Sequence, residues 1–330
     1  DGKPGFAPGD YARKPDFHEA TEDNMALAAM EQACLARALL EGGRNADAVK
    51  DFIAVRSLRR AKFGKAWRSL DDNVERDEGM ADYVTSLVFD DGGGWGQLAL
   101  AEKLLASPEG DPAEEMIGGR QYMTGEAIGH ILDGRSRNWK KKVAAGKYPF
   151  DVLSGLFPMS RAERSRRAEA VKKSYGYEGL RRAAGLMLAG FLDDIAAAFR
   201  EFAAYSGPRL VMRAPDVSGA LESFSSVKVY RMNGEMELFK DNPVYEFSAP
   251  GVRLLAKDVT LSVYHGGDGS GVYEIALSSA PDVKAGGAAV ALGAEPQDLS
   301  DVSVTAPGVE FSASSAAVHV ENGVTMVDLR

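Results

Sequence analysis

The sequence predicts an α+β protein, with a helical domain over residues 1–206 followed by an antiparallel, sandwich-like β-rich domain over residues 207–330. Three observations support this class. The 330-residue chain is longer than an ordinary single core requires. Apolar residues recur with a period of about 3.6 up to Ser206. From Gly207-Pro208 onward the period changes to 2, and turn residues such as Asn233-Gly234 separate short runs.

Caps and glycines set the bounds of the helices. The first helix is expected to begin near Thr21 or Asp23 and to end at Gly42-Gly43, and Gly64 is expected to kink or break the chain. Helices are therefore predicted over residues 25–40, 46–63, 65–89, 95–106, 114–132 and 162–204, the last with a break at 175–177, and a shorter helical or irregular piece over 139–157.

The second half reads as short strands between turns. Alternating or β-branched runs predict strands over residues 209–213, 226–231, 236–239, 259–264, 272–277 and 318–320. Many short strands at such intervals are typical of an antiparallel sandwich.

Charge and composition exclude several classes of protein. The net charge is −9, and residues 207–330 hold 9 Lys/Arg against 16 Asp/Glu. An acidic surface repels phosphate, so we expect no nucleic-acid partner. No apolar run approaches the roughly 18 residues that suggest a membrane span. Cys34 stands alone, which excludes an internal disulfide and a cysteine-cluster metal site.

The first residues indicate an exported protein. The chain opens with Asp1 and a loop-like Pro/Gly-rich lead, so we expect an upstream segment such as a signal peptide. A periplasmic, cell-surface or secreted location follows from that expectation.

One helix carries a carboxylate on its apolar stripe. Glu78 lies four residues after Val74 and three before Ala81, so its side chain is expected to point inward. A buried charge needs a cation, a metal or a proton. Gly79 beside it costs about 1 kcal/mol of helix stability relative to Ala, which indicates close approach by another segment or a ligand.

Glu31 repeats this pattern, four residues before Leu35, and Arg56, Arg59 and Arg60 on the next helix could face it. Two interpretations stay open. The residues could form a buried Glu–Arg network that fixes helix register. They could instead line a polar cleft whose carboxylates bind a metal or work as acid and base.

A resemblance bears on this choice. Residues 78–84, Glu-Gly-Met-Ala-Asp-Tyr-Val, resemble the Glu-Gly-Leu-Ala-Glu-Tyr segment of gluzincin-type zinc metallopeptidases. The stretch from His18 through residues 30–39 to Tyr83, and residues 125–142, are similar to a group of bacterial, mostly exported, uncharacterised proteins of that type. The resemblance covers roughly the first 155 residues.

In those peptidases a His-Glu-x-x-His helix supplies two zinc ligands and the general base, and the Glu-Gly-x-Ala-x-Tyr helix supplies the third ligand. The resemblance thus implies Zn²⁺ as cofactor, a peptide or protein as substrate or partner, and Glu78 as a ligand, with His18 as a further metal candidate. Glu31 is a third metal candidate because of its place on an apolar stripe. The resemblance makes Tyr83 a candidate for stabilising an oxyanion, with Arg56 in the same cleft.

The pattern is incomplete. No His-Glu-x-x-His occurs, and the nearest string, His18-Glu19-Ala20-Thr21-Glu22, has a Glu in place of the second histidine. Either the zinc helix lies upstream of Asp1, or the lineage has lost its metal and kept the fold.

Two main hypotheses about function follow. A third, an enzyme that uses paired carboxylates on a sugar, ranks last because no pair of carboxylates has a spacing that supports it. The first is a zinc metallopeptidase-like hydrolase whose active site is incomplete in this chain. The second is a non-catalytic exported binding or envelope-associated protein on a degenerate peptidase-like scaffold, with the contact surface on the β-rich half. It predicts direct carboxylate–guanidinium contacts among Glu31, Glu78, Arg56 and Arg60.

Overall fold

The computed structural model describes residues 20–89, 94–106, 119–225, 229–232 and 235–330. It confirms the α+β class, since helices fill the first part of the chain and a mixed, curled sheet fills the last part. The chain divides into two compact units, one running to Phe191 and one spanning Leu192–Arg330. We call them the helical unit and the β-rich unit and describe each by itself.

Eight helices lie in the described part of the chain, and the last of them crosses the boundary between the units. They are α1 (Glu22–Leu40), α2 (Ala46–Phe89), α3 (Trp95–Leu105), α4 (Arg120–Asp133), α5 (Trp139–Ala144), α6 (Pro149–Leu156), α7 (Arg161–Ser174) and α8 (Tyr177–Ala204). The predicted beginning of the fifth helix, over 114–118, lies outside the described residues.

The predicted limits of α1 are confirmed. The Thr21 hydroxyl accepts a hydrogen bond from the Asn24 N–H at 3.2 Å, which satisfies one of the free donors of the first turn. After the helix, Gly42 and Gly43 adopt φ of 60° and 71°, a region that favours glycine.

Helix α2 is two helices folded back on each other at Gly64, where the sequence predicted a kink or break. Gly64 has φ 78° and ψ −164°, a conformation that is essentially confined to glycine. In a straight helix, Arg56 and Glu75 would lie about 28 Å apart along the axis. Their side chains instead contact at 2.7 Å, so the halves before and after Gly64 must pack side by side.

The second half of α2 packs tightly against α4. A Cβ atom on Gly79 would lie 2.7 Å from the Gly125 Cα, and one on Gly125 would lie 2.7 Å from the Glu75 carbonyl oxygen. The expected close approach at Gly79 is therefore made by another helix. Apolar side chains of α1, α2 and α4, including Leu35 and Ile128, form the surrounding core.

Thirteen strands form one sheet in the described part of the β-rich unit, which curls because the long β12 pairs with β6 as well as with β11 and β13. The sheet is mixed, since β1 runs parallel to β13 and all other pairs are antiparallel. The strands are β1 (Arg209–Ala214), β2 (Leu221–Ser225), β3 (Val229–Met232), β4 (Met236–Asn242), β5 (Val244–Ala249), β6 (Val252–Ala256), β7 (Val259–His265), β8 (Gly271–Ala276), β9 (Asp282–Ala285), β10 (Ala288–Ala289), β11 (Gln297–Ala306), β12 (Val309–Glu321) and β13 (Val324–Leu329).

The core of the β-rich unit lies between the curled faces of this sheet and includes Tyr245, Phe247 and Tyr273, which are at most 1% exposed. Among the described residues, no helix combines the length and apolarity that crossing a bilayer requires.

Candidate functional site

Six of the charged side chains that the helical unit buries are gathered in one place. They come from α1, both halves of α2, and α4, and each is at most 1% exposed. We call the following six residues the ion-pair network: Glu31, Arg56, Arg59, Asp71, Glu75 and Arg120.

Glu31 lies at the centre of the network. One oxygen, Oε2, accepts from Arg56 Nε at 2.7 Å, and the other, Oε1, accepts from Arg59 Nε at 2.5 Å. Arg120 Nη1 lies 3.6 Å from Oε2. Both oxygens of this carboxylate are therefore committed to guanidinium groups.

Glu75 holds the other side of Arg56. Arg56 Nη1 donates to both Glu75 oxygens, at 2.7 Å and 3.0 Å, and the Thr124 hydroxyl of α4 donates to Oε1 at 2.6 Å. Arg56 thus bridges α1 to the second half of α2, and Thr124 extends the link to α4.

Asp71 forms the third centre. It accepts from Arg59 Nη2 through one oxygen and from Arg120 Nη2 through the other, and the Gln121 amide lies 3.3 Å from that second oxygen. Arg59 also donates from Nη1 to Asn24 Oδ1 at 3.1 Å. Each arginine of the network therefore contacts two different helical segments or more.

Charge balance explains how this cluster can stay buried. Three guanidinium groups face three carboxylates, so the network is neutral when all six groups are ionised. Burial by itself would raise the pKa of Glu31 and Asp71, but the guanidiniums of Arg56, Arg59 and Arg120 outweigh it and hold both pKa values below the ordinary range.

Neighbouring charges compensate the burial of Glu75 and Arg120 less fully. Burial raises the pKa of Glu75, against the opposing effect of Arg56. Burial and the neighbouring Arg59 lower the pKa of Arg120 to about 10, and Arg120 Nε has no hydrogen-bond partner in the described part of the chain. Two aromatic rings pack against Arg56 of the network. Its guanidinium carbon lies 4.9 Å from the centre of the Phe52 ring and 5.4 Å from that of the Phe150 ring.

The expectation that Glu78 points inward is wrong, because its side chain is exposed. The buried row of this helix contains Asp71, Glu75, Gly79 and Tyr83, which are spaced four residues apart. The close crossing of Gly79 against α4 fixes that row. Two residues of this buried row, Asp71 and Glu75, are acidic, so the spacing of apolar residues does not reveal the row. The predicted inward position, Glu78, is therefore one residue before the buried Gly79.

Of the other candidates, the structure brings Glu31 and Arg56 together but places Tyr83 in a different cluster. The Tyr83 hydroxyl donates to Asp133, and its ring lies 5.2 Å from His130 and 5.3 Å from Trp139. Tyr83 shares none of these partners with the ion-pair network. His18 lies outside the described residues.

The network does not fit a zinc site. Both Glu31 oxygens already accept from arginine, and three guanidinium groups would repel a divalent cation. Within the described ranges, no group of three His, Cys, Asp or Glu side chains is arranged to hold a metal. Glu78, exposed on α2, is not part of such a group.

Sequence reasoning missed three members of the network. The four-residue spacing of Asp71, Glu75, Gly79 and Tyr83 is a signal that could have identified the two acids. Arg120 carries no comparable signal, because its neighbours in sequence do not reveal that it faces Asp71.

The fold and the network together define a two-unit α+β protein with an ionic interior in its helical unit. No protein-family model matches the chain, and comparisons with curated proteins and with solved structures give no significant match.

Proposed function

We propose that this chain is a non-catalytic, exported binding protein whose helical unit is a peptidase-like scaffold and whose β-rich unit carries the contact surface. The observation that carries the proposal is the state of Glu31, whose two oxygens both accept from buried arginines. A carboxylate held in this way is a structural counter-ion and is not free to bind a metal or to take a proton from substrate.

Burial supports the same conclusion. Glu31, Arg56 and Glu75 are 0% exposed, so a substrate could reach them only if the helices separated. Catalytic groups have to contact the reacting atoms within hydrogen-bond distance. The network is better suited to joining α1, α2 and α4 in one register, because each misalignment would leave a buried charge without its partner.

The packing of the resembling segments supports the scaffold part of the proposal. Gly79 lies in the Glu-Gly-x-Ala-x-Tyr segment, Gly125 begins the second resembling stretch, and the two glycines form the contact between α2 and α4. In this proposal the helical unit is a degenerate relative of the gluzincin type in which arginines neutralise the interior acids.

Charge points to the β-rich unit as the contact surface. Leu192–Arg330 holds 10 Lys/Arg against 19 Asp/Glu, a net charge of −9, whereas the preceding residues balance at 29 of each. Such an acidic field attracts cationic partners and repels polyanions.

The test uses the whole chain. We expect no stoichiometric zinc after purification without chelator. We also expect no hydrolysis of quenched-fluorescence peptide libraries, whether zinc or a chelator is added. One zinc per chain that is lost on Glu78→Gln, or chelator-sensitive hydrolysis that the same change removes, would overturn the proposal.

A further inference from the structure

The β-rich unit contains a groove of about 670 Å³ between the last turns of α8 and the sheet. This volume is within the range of sites that take small ligands. Its floor is partly apolar and includes Tyr205, which follows α8, Val259 of β7 and Pro307, which follows β11. Tyr205 and Pro307 are exposed and Val259 is half-buried, so a ligand can contact this apolar surface. Phe202, Leu238 and Leu277 also line the groove but are at most 8% exposed.

The rim of the groove carries the same dipeptide twice. Lys240-Asp241 lies at the end of β4, and Lys257-Asp258 lies between β6 and β7. Both aspartates adopt a left-handed backbone, with φ of 47° and 52°, and both are exposed. Asn and Asp tolerate this conformation better than most residues.

The ion pairs leave the rim negative. Lys240 Nζ contacts Glu201 of α8 at 2.7 Å, whereas neither Asp241 nor Asp258 forms an ion pair within 4.0 Å in the described part of the chain. With Lys257 included, the rim has three carboxylates and two ammonium groups.

An irregularity in the sheet places one of these dipeptides at the groove. The pairing of β4 with β7 shifts between Phe239 and Asn242, so Lys240 and Asp241 are left out of the regular ladder. The Asp241 N–H donates to the Thr260 hydroxyl at 3.3 Å instead. Bulges of this kind bend a strand and redirect side chains, and they are over-represented next to functional sites.

We infer that this groove binds a short peptide segment in which a basic side chain lies beside apolar ones. The apolar side chains would contact the floor at Tyr205, Val259 and Pro307, and the basic side chain would pair with Asp241 or Asp258. Lysines at the rim match the carbonyl oxygens that a peptide backbone offers. This inference rests on the proposed binding function and names its ligand.

The unit as a whole supports a cationic ligand. Its net charge of −9 raises the local concentration of cations, and the exposed rim makes the attraction sensitive to salt. Binding of a basic peptide is therefore expected to weaken as ionic strength increases, whereas the contribution of the apolar floor persists.

The experiment titrates the full chain with two blocked peptides, Ac-Leu-Arg-Leu-NH₂ and Ac-Leu-Glu-Leu-NH₂, by NMR chemical-shift mapping. We expect the basic peptide to bind at least about tenfold more tightly, because its guanidinium pairs with a rim carboxylate that would repel the glutamate of the other peptide. The shifts are expected to concentrate at the floor and rim residues. Absence of saturable binding, equal affinities, or shifts elsewhere on the chain would overturn the inference.

Matched variants isolate the carboxylates. In the double variant Asp241→Asn/Asp258→Asn, asparagine keeps the left-handed backbone, so only charge is lost. We expect the preference for the basic peptide to fall at least about fivefold. Asp301→Asn is the control, because Asp301 also has a left-handed backbone, with φ 49°, and lies in β11 outside the groove. An equal loss in the control would refute the assignment.

The two proposals fail separately. Zinc content and peptide hydrolysis test the helical unit, whereas these titrations test side chains of the β-rich unit only. A metal-free, inactive chain that binds neither peptide would leave the non-catalytic assignment standing and overturn the peptide site in the groove.

Discussion

Replacing Glu31 with Gln tests whether the ion-pair network holds the helical unit together. The change keeps the shape of the side chain but removes a charge that accepts from Arg56 at 2.7 Å and Arg59 at 2.5 Å, with Arg120 at 3.6 Å. Three buried guanidinium groups would then face two carboxylates. Removing one partner from a buried ionic cluster typically costs about 3–5 kcal/mol.

That cost predicts a clear change in stability. For a unit of this size, each kcal/mol corresponds to about 2–4 °C in melting temperature, so Glu31→Gln is expected to lower Tm by about 6–20 °C. Urea unfolding followed by far-UV circular dichroism should report the loss, because the signal is dominated by the helical unit.

Glu78→Gln is the matched control. Glu78 is exposed on α2 and interacts with the Tyr122 hydroxyl, so the same chemical change should cost about 0.5 kcal/mol or less. If Glu31→Gln costs under about 1 kcal/mol, or no more than Glu78→Gln, the network does not stabilise the fold as described.

Two further predictions concern pH and the backbone. Because the folded pKa values of Glu31 and Asp71 lie below their unfolded values of about 4, their stabilisation is complete above that pH and is lost as pH falls below it. Acid titration of unfolding free energy should therefore show a steep loss below about pH 4 that Asp71→Asn reduces; an unchanged slope would contradict the assignment. Gly64→Ala should cost about 1–3 kcal/mol through backbone strain alone, since a Cβ there meets nothing within 4 Å. Gly190→Ala in α8, also in open space but without a positive φ, should instead be neutral or stabilising, and equal melting temperatures for the two variants would refute the strain argument.

Local signals predicted much of the fold. The cap at Thr21, the break at Gly64 and the change of period at Gly207-Pro208 depend on residues adjacent in sequence, and the structure confirms all three. Seven of the described strands lie outside the predicted ranges: β2, β5, β6, β9, β10, β11 and β13. Several of them are stabilised by pairing with strands that are distant in sequence. The parallel pairing of β1 with β13 joins the two ends of the β-rich unit and has no local signal.

The sequence predicted that the helical part buries a cluster of acids and arginines, but it identified only some of the residues in that cluster. Glu31 and Arg56 were correctly expected to face each other, since each lies on an apolar stripe. Glu78 was placed wrongly, and Asp71, Glu75 and Arg120 were missed. A buried acid resembles an exposed acid in sequence, and only its partners in three dimensions distinguish the two.

Local sequence patterns were enough to predict the helical and β-rich halves, the helix break at Gly64, and the presence of acids and arginines on apolar stripes. Which charges are buried together could be seen only in three dimensions, because it depends on how α2 folds back on itself and on the approach of Gly79 to Gly125. Periodicity fixes the face of one helix to within a residue or so, whereas the pairing of buried charges is set by contacts between helices that are far apart in sequence.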